Sequence, residues 1–180
     1  MANKKCAALT KEQLEEIITT MRSGGAGFRK NEQIATALLL EANLGMRIED
    51  IVMDRGRYRL NVIEKKTQKK RTFTVPVPVY SFIRIYCDDR NIAPEQKMFS
   101  LGERQVQKYL KKVVDYLGYE EPIGSHSFRK YFATEIYKQN NYDIVLVQKL
   151  LQHSSVATTQ WYIDVDQRID KALQEQCTLF

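Results

Sequence analysis

Leu150-Leu151-Gln152-His153-Ser154-Ser155, followed at once by Val156-Ala157-Thr158-Thr159-Gln160-Trp161-Tyr162, is the stretch on which the reading of this chain turns. It begins as the apolar end of a helix, passes through a Ser/Thr-rich turn and closes on two aromatic residues. Taken singly, each part has an ordinary meaning. A histidine at a helix C-terminus is commonly a capping or core group, because His⁺ is favoured there. A tyrosine beside a tryptophan is commonly core. The combination is far less common, with His153 and Tyr162 nine residues apart across a polar turn. Just upstream, His126-Ser127-Phe128-Arg129 sets a histidine and an arginine three apart, on one face of a helix. An arginine offers a planar fork suited to two phosphate oxygens, although a helix with one solvated edge would give the same spacing.

Working outward, most of the chain carries helical periodicity. Thr10-Lys11-Glu12-Gln13 has the form of a capping box, and Leu14, Ile17, Ile18 and Met21 follow as a buried stripe. Ser23 to Gly27 breaks that helix. Its glycines lack phosphate-loop spacing, so a plain flexible connection is expected. A second helix is expected over Asn31 to Leu44, stopped by Gly45, with a short helical turn over Met46 to Met53. The period then changes to two: Tyr58, Leu60 and Val62 alternate with polar residues, as do Phe73, Val75 and Val77. A β-hairpin is therefore expected over Arg57 to Val77, ended by Pro76 and Pro78, with Lys65 to Arg71 as its basic tip. Helix resumes from Val79. Ser100-Leu101-Gly102-Glu103 reads as a second capping box for a stripe of Val106, Leu110, Val113 and Leu117, closed by Gly118. Further helices are expected over His126 to Gln139, Asp143 to His153 and Thr158 to Phe180. The fold class is mostly α with one small antiparallel sheet (α+β).

Composition narrows the function. At 180 residues the chain suffices for one compact domain. Hydrophobic residues at 43% and charged residues at 28% exclude disorder, and no apolar run approaches the roughly 20 residues of a membrane span. No signal peptide opens the sequence. Cys6, Cys87 and Cys177 are odd in number and lack metal-ligand spacing, so neither a disulfide framework nor a zinc site is expected, and a reducing, cytoplasmic setting fits. The net charge of +6 points to a polyanionic partner. It is not diffuse: Arg55 to Arg71 holds eight basic residues against Glu64, and the rest of the chain is close to neutral.

Together these segments resemble the tyrosine recombinase (phage integrase) family. His126-x-x-Arg129, the Leu150 to Ser155 element and Thr158 to Tyr162 stand in the order and spacing of its C-terminal signature. Leu44-Gly45-Met46-Arg47-Ile48-Glu49-Asp50 resembles the segment bearing its first catalytic arginine, and Lys66-Thr67 its catalytic lysine. The resemblance implies that Tyr162 is the nucleophile, that Arg47 and Arg129 bind the scissile phosphate, and that Lys66 protonates the leaving oxygen, with Lys65 the alternative. It implies that His126 assists proton transfer at the tyrosine or hydrogen-bonds the phosphate, that His153 is a further phosphate donor, and that Asp50 orients the site. No metal or other cofactor is implied. Lys65, Lys69, Lys70 and Arg71 are candidate DNA contacts. Where family members carry a Leu-x-Trp-x-Asp-like segment, Ile51-Val52-Met53-Asp54 is shorter and lacks tryptophan.

The expected activity is site-specific recombination: metal-independent cleavage and rejoining of double-stranded DNA through a 3′-phosphotyrosyl intermediate. Two alternatives share the fold or the chemistry, a non-catalytic DNA-binding module and a type IB topoisomerase. The expected domain plan is one catalytic domain over 1–180, with a core of about 10–162. Family core-binding and arm-binding modules are not expected ahead of it. The tail, 163–180, would dock on a neighbouring protomer or on its own domain. A monomer is expected when free, and a tetramer on paired sites.

Overall fold

The computed structural model describes residues 6–45, 59–63, 70–93, 96, 98–160 and 162–163. Seven helices and one strand pair are present among them: α1 Lys11–Ser23, α2 Glu32–Leu44, β1 Arg59–Ile63, β2 Lys70–Thr74, α3 Val77–Asp89, α4 Glu103–Leu117, α5 Ser125–Gln139, α6 Ile144–Leu151 and α7 Val156–Gln160. The described chain is thus mostly helical, and none of its helices is long and apolar enough to cross a membrane.

α1 begins where its capping box is written. Thr10 Oγ1 accepts from the Gln13 amide at 3.2 Å, and Gln13 Oε1 accepts from the Thr10 amide at 3.0 Å. Its expected stripe of Leu14, Ile17, Ile18 and Met21 is buried. The glycine-rich break after it is an ordered tight turn, not a loose connection. Gly25 and Phe28 exchange two backbone hydrogen bonds of 3.2 Å, and the Asn31 amide donates to the Met21 carbonyl. α2 starts on Asn31, whose side chain accepts from the Ile34 amide at 3.0 Å. It is buried around most of its circumference, as expected of a helix apolar on nearly every side.

β1 and β2 pair antiparallel, with Leu60 opposite Phe73 and Val62 opposite Arg71. β2 ends at Thr74, three residues earlier than the expected hairpin. Val77 and Pro78 instead form the first turn of α3, where a proline's missing amide costs no helical hydrogen bond. The start of α4 also differs from expectation. Gly102, not Ser100, is the N-cap, and it makes no side-chain capping bond. Leu101, just ahead of that cap, packs on two cores at once.

Those cores share their walls. One gathers α1, α2 and α4 around Ile17, Met21, Leu38 and Leu110, with Phe128 from α5. A second lies between the other side of α2 (Ala37, Leu40, Leu44) and Tyr80, Ile83 and Tyr86 of α3. The third joins Ala133 and Tyr137 of α5 to Val147 and Leu151 of α6 and to Ile163. α2 and α5 each belong to two cores. Their relative placement is therefore fixed from both sides, and it is at their junction that the candidate site forms.

Candidate active site

Arg129 is the centre of that junction. It is 2% exposed, so the alternative of a solvated helix edge is overturned. Its Nη1 donates to the Gly45 carbonyl at 2.5 Å and its Nη2 to the Leu151 carbonyl at 3.0 Å. Gly45 is the C-cap of α2 and Leu151 the last residue of α6. The negative ends of two helix dipoles thus converge on one buried guanidinium, an arrangement that favours the cation where water is excluded. The fork geometry of arginine makes the double contact possible; a lysine ammonium could not span both acceptors in one plane.

α2 can end at Gly45 because that residue adopts a left-handed conformation, φ 59°. Its bare Cα also lies against the Phe132 ring, where a Cβ would collide with ring carbons. α6 is set by Asp143, whose side chain accepts from the amides of Val145 and Leu146 at 2.9 and 3.0 Å. α6 stops at Leu151, with Gln152 left-handed at φ 55°. His153 therefore lies beyond the helix and does not act as its last-turn cap.

The His153 ring is held from two sides. Nδ1 lies 3.0 Å from Thr159 Oγ1, and the ring centroid is 4.8 Å from that of Tyr162, with the planes inclined at 55°. The His153 amide donates to the Gln148 carbonyl at 3.1 Å, and Gln148 Nε2 donates back to the His153 carbonyl at 3.2 Å. Tyr162 is half-buried, its amide bonded to the Thr159 carbonyl. The two residues nine apart in the sequence are thus ring neighbours, and His153 is two residues beyond the Leu151 carbonyl that Arg129 grips. Tyr137 and Tyr142 pack edge to face on each other at 5.3 Å. His126, the second residue of α5, is exposed one turn before Arg129.

Arg47, Asp50, Lys65, Lys66 and Lys69 lie outside the described residues. Lys70 and Arg71 fall within β2, opposite Ile63 and Val62, and not in the loop expected for them.

Two features were not singled out from the sequence. Thr159, fully buried, is one. The other is a basic surface at the far end of α2, about 20 Å along the helix from Gly45. Arg104, Lys108 and Lys112 line α4 at i, i+4 and i+8, a signal present in the sequence. They border two open concavities of about 620 and 450 Å³ that share Tyr109 and Lys112 and extend to Arg29 and Lys30. Among the described residues none of these five cations makes an ion pair, whereas the neighbouring Lys111 pairs with Asp115 at 2.9 Å.

The same assembly of helices recurs in known proteins. The chain is 29% identical over 136 residues to the tyrosine recombinase XerC of Thermodesulfovibrio yellowstonii, covering 68% of this chain and 44% of that one. It is 27% identical over 188 aligned positions to XerA of Thermococcus kodakarensis, covering 96% and 63%. The chain spans about half the length of these relatives. Among solved structures, a lambda integrase tetramer bound to a Holliday junction superposes with a TM-score of 0.69 at 17% identity, over 91% of this chain and 50% of that one. The model of the phage integrase family matches residues 7–168. That match runs from ahead of α1 to beyond Tyr162 and takes in Gly45, Arg129, His153 and Thr159 on the way, so the chain belongs to the phage integrase family.

Proposed function

We propose that this chain is the catalytic domain of a site-specific DNA recombinase that cuts and rejoins strands through Tyr162. The observation that carries the reading is the contact between the His153 and Tyr162 rings, beside a buried arginine held by two helix C-termini. A phosphodiester under attack gathers negative charge on its non-bridging oxygens, and preorganised cations stabilise it best where water is excluded. Arg129 is one such cation. Arg47, two residues after the Gly45 carbonyl that Arg129 grips, is the second.

In the reaction the Tyr162 phenolic oxygen attacks phosphorus, and the bond to the 5′-oxygen breaks. A 3′-phosphotyrosyl bond forms and a 5′-hydroxyl leaves. Lys66, or Lys65 in its place, gives the leaving oxygen its proton; His126 and His153 serve the phenol and the phosphate oxygens, and Asp50 orients the arginine cluster. The bond energy is kept in the phosphotyrosine, so a strand's 5′-hydroxyl reverses the step without ATP. DNA is held by the basic segment that includes Lys65, Lys69, Lys70 and Arg71, and by the unpaired cations along α4. Exchange of two duplexes requires four cuts, so a tetramer on paired sites is the working form, as in the lambda integrase assembly on a Holliday junction.

The test is a nicked substrate that traps the covalent state. Wild-type protein is expected to form a protein–DNA adduct, and Tyr162→Phe to bind the same DNA without forming one. An adduct that survives in Tyr162→Phe would assign the nucleophile elsewhere; binding with no adduct from the wild type would favour a non-catalytic module.

A further inference from the structure

We infer that Thr159 fixes the tautomer of His153, with the proton on Nδ1, and is thereby a positioning residue for the imidazole beside Tyr162. What that imidazole does in catalysis rests on the recombinase reading above; its tautomer does not. Thr159 is fully buried, and its Oγ1 has two neighbours: His153 Nδ1 at 3.0 Å and the Ser155 carbonyl, to which it donates at 3.4 Å. A hydroxyl has one proton and can accept on its remaining lone pairs. With its proton directed to Ser155, Oγ1 accepts from Nδ1–H. The reverse arrangement would turn the hydroxyl proton onto a bare Nδ1 and away from the Ser155 carbonyl. It would also fail whenever the ring takes a second proton, since both nitrogens then donate. Only Nδ1–H serves the neutral and the cationic ring with no movement of the buried hydroxyl.

The residue is also confined. Its backbone is tied at both the amide and the carbonyl to Gln148, and Tyr162 lies against it. With Nδ1 turned toward α7, Nε2 occupies the opposite edge, and it is this nitrogen that would meet a phosphate oxygen or the attacking phenol. A partner that fixes one ring nitrogen thus decides which chemistry the other can do.

The chain has two histidines, so ¹⁵N-histidine labelling of wild-type protein and of His126→Gln assigns both rings by difference. Long-range ¹H–¹⁵N correlation at a pH where the imidazole is neutral is expected to find the His153 proton on Nδ1. Thr159→Val, similar in shape without the hydroxyl, is expected to shift the ring toward the Nε2–H form, and Thr159→Ser to restore Nδ1–H. On the nicked substrate, Thr159→Val is expected to slow adduct formation at saturating DNA by about tenfold with DNA affinity unchanged, and Thr159→Ser to recover it. An Nε2–H ring in the wild type, or an Nδ1–H ring that persists in Thr159→Val, overturns the inference. A Thr159-dependent Nδ1–H ring in a protein that forms no adduct would uphold it and count against the recombinase reading instead.

Discussion

The Gly45 carbonyl and the Arg129 guanidinium, 84 residues apart in sequence, meet at 2.5 Å in the interior. The contact ties the C-terminal end of α2 to the middle of α5, and the second contact of Arg129, to Leu151, brings in the end of α6. One side chain therefore ties α5, which carries His126 and Arg129, to the C-terminal ends of α2 and α6, which precede Arg47 and His153 in the chain. These contacts give Arg129 a structural role, so the phosphate-binding role proposed for it must be separated from that one by the choice of substitution.

Gly45→Ala tests the geometry from the α2 side. An L-residue at φ 59° costs about 1–2 kcal/mol, and forcing a methyl into the Phe132 ring adds about 1–3 kcal/mol. A loss of about 2–5 kcal/mol in urea denaturation is expected. Adding Phe132→Leu should return the packing part but not the backbone part. Strict additivity of the two substitutions would show that Phe132 is not what confines Gly45.

Arg129→Lys keeps the charge and gives up the fork. One of the two carbonyls must lose its partner, at a cost of about 1–3 kcal/mol. If Arg129 also binds the scissile phosphate, adduct formation should fall by about 10²–10³-fold in protein that remains folded. Circular dichroism with the nicked-substrate assay separates the effects; full activity in a destabilised Arg129→Lys protein would leave Arg129 a purely structural role.

How far the sequence could be read follows from how local each cause is. The α1 capping box and stripe, the start of α2 near Asn31 and the Gly45 stop all lie within a few residues of what they determine, and each is legible in the sequence. Ser100-x-x-Glu103 had the same local form, yet α4 starts later because Leu101 is drawn onto two cores built from distant residues. Pro78 was read as ending a strand, but proline is equally suited to a first helical turn, and the ladder's register decided between them. The His126-x-x-Arg129 motif marks Arg129 but not its setting: helical spacing allows a solvated edge, whereas its burial depends on the ends of α2 and α6 arriving from elsewhere. Thr159 lay inside the quoted motif without a role, because its role is a contact with a ring six residues away across a turn.

Tyr119 offers a test of packing by pH. Its hydroxyl donates to the Glu16 carboxylate, joining the segment after α4 to α1, and burial together with that bond pushes its pKa up to about 12. The folded state thus holds this proton more tightly than the unfolded chain, whose tyrosines titrate near 10. The resulting stabilisation is fully present below about pH 10 and is lost as the pH rises through about 12. Tyr86, Tyr109 and Tyr131 are raised as well, so the wild type alone cannot isolate the effect. The difference between wild type and Tyr119→Phe in urea midpoint should be constant up to about pH 10 and shrink above it. A difference independent of pH would remove the Glu16 bond as its source.

The basic surface along α4 makes a prediction about DNA that does not depend on the active site. Arg104, Lys108 and Lys112 share one face, and no acid among the described residues neutralises them, while Lys111 is paired with Asp115. A cation in contact with a phosphate releases condensed counterions, so each such contact contributes close to 0.9 to the slope of log K against log salt. Lys108→Ala and Lys112→Ala are each expected to lower the magnitude of that slope by close to 1 and to weaken binding to all sequences alike. Lys111→Ala, whose charge is already compensated, should leave the slope nearly unchanged. Tyr162→Phe protein is the background for the titration, because on the proposed mechanism it forms no covalent complex while the cations along α4 are unchanged. Equal slopes for Lys111→Ala and Lys112→Ala would show that the unpaired stripe is not where the DNA backbone lies.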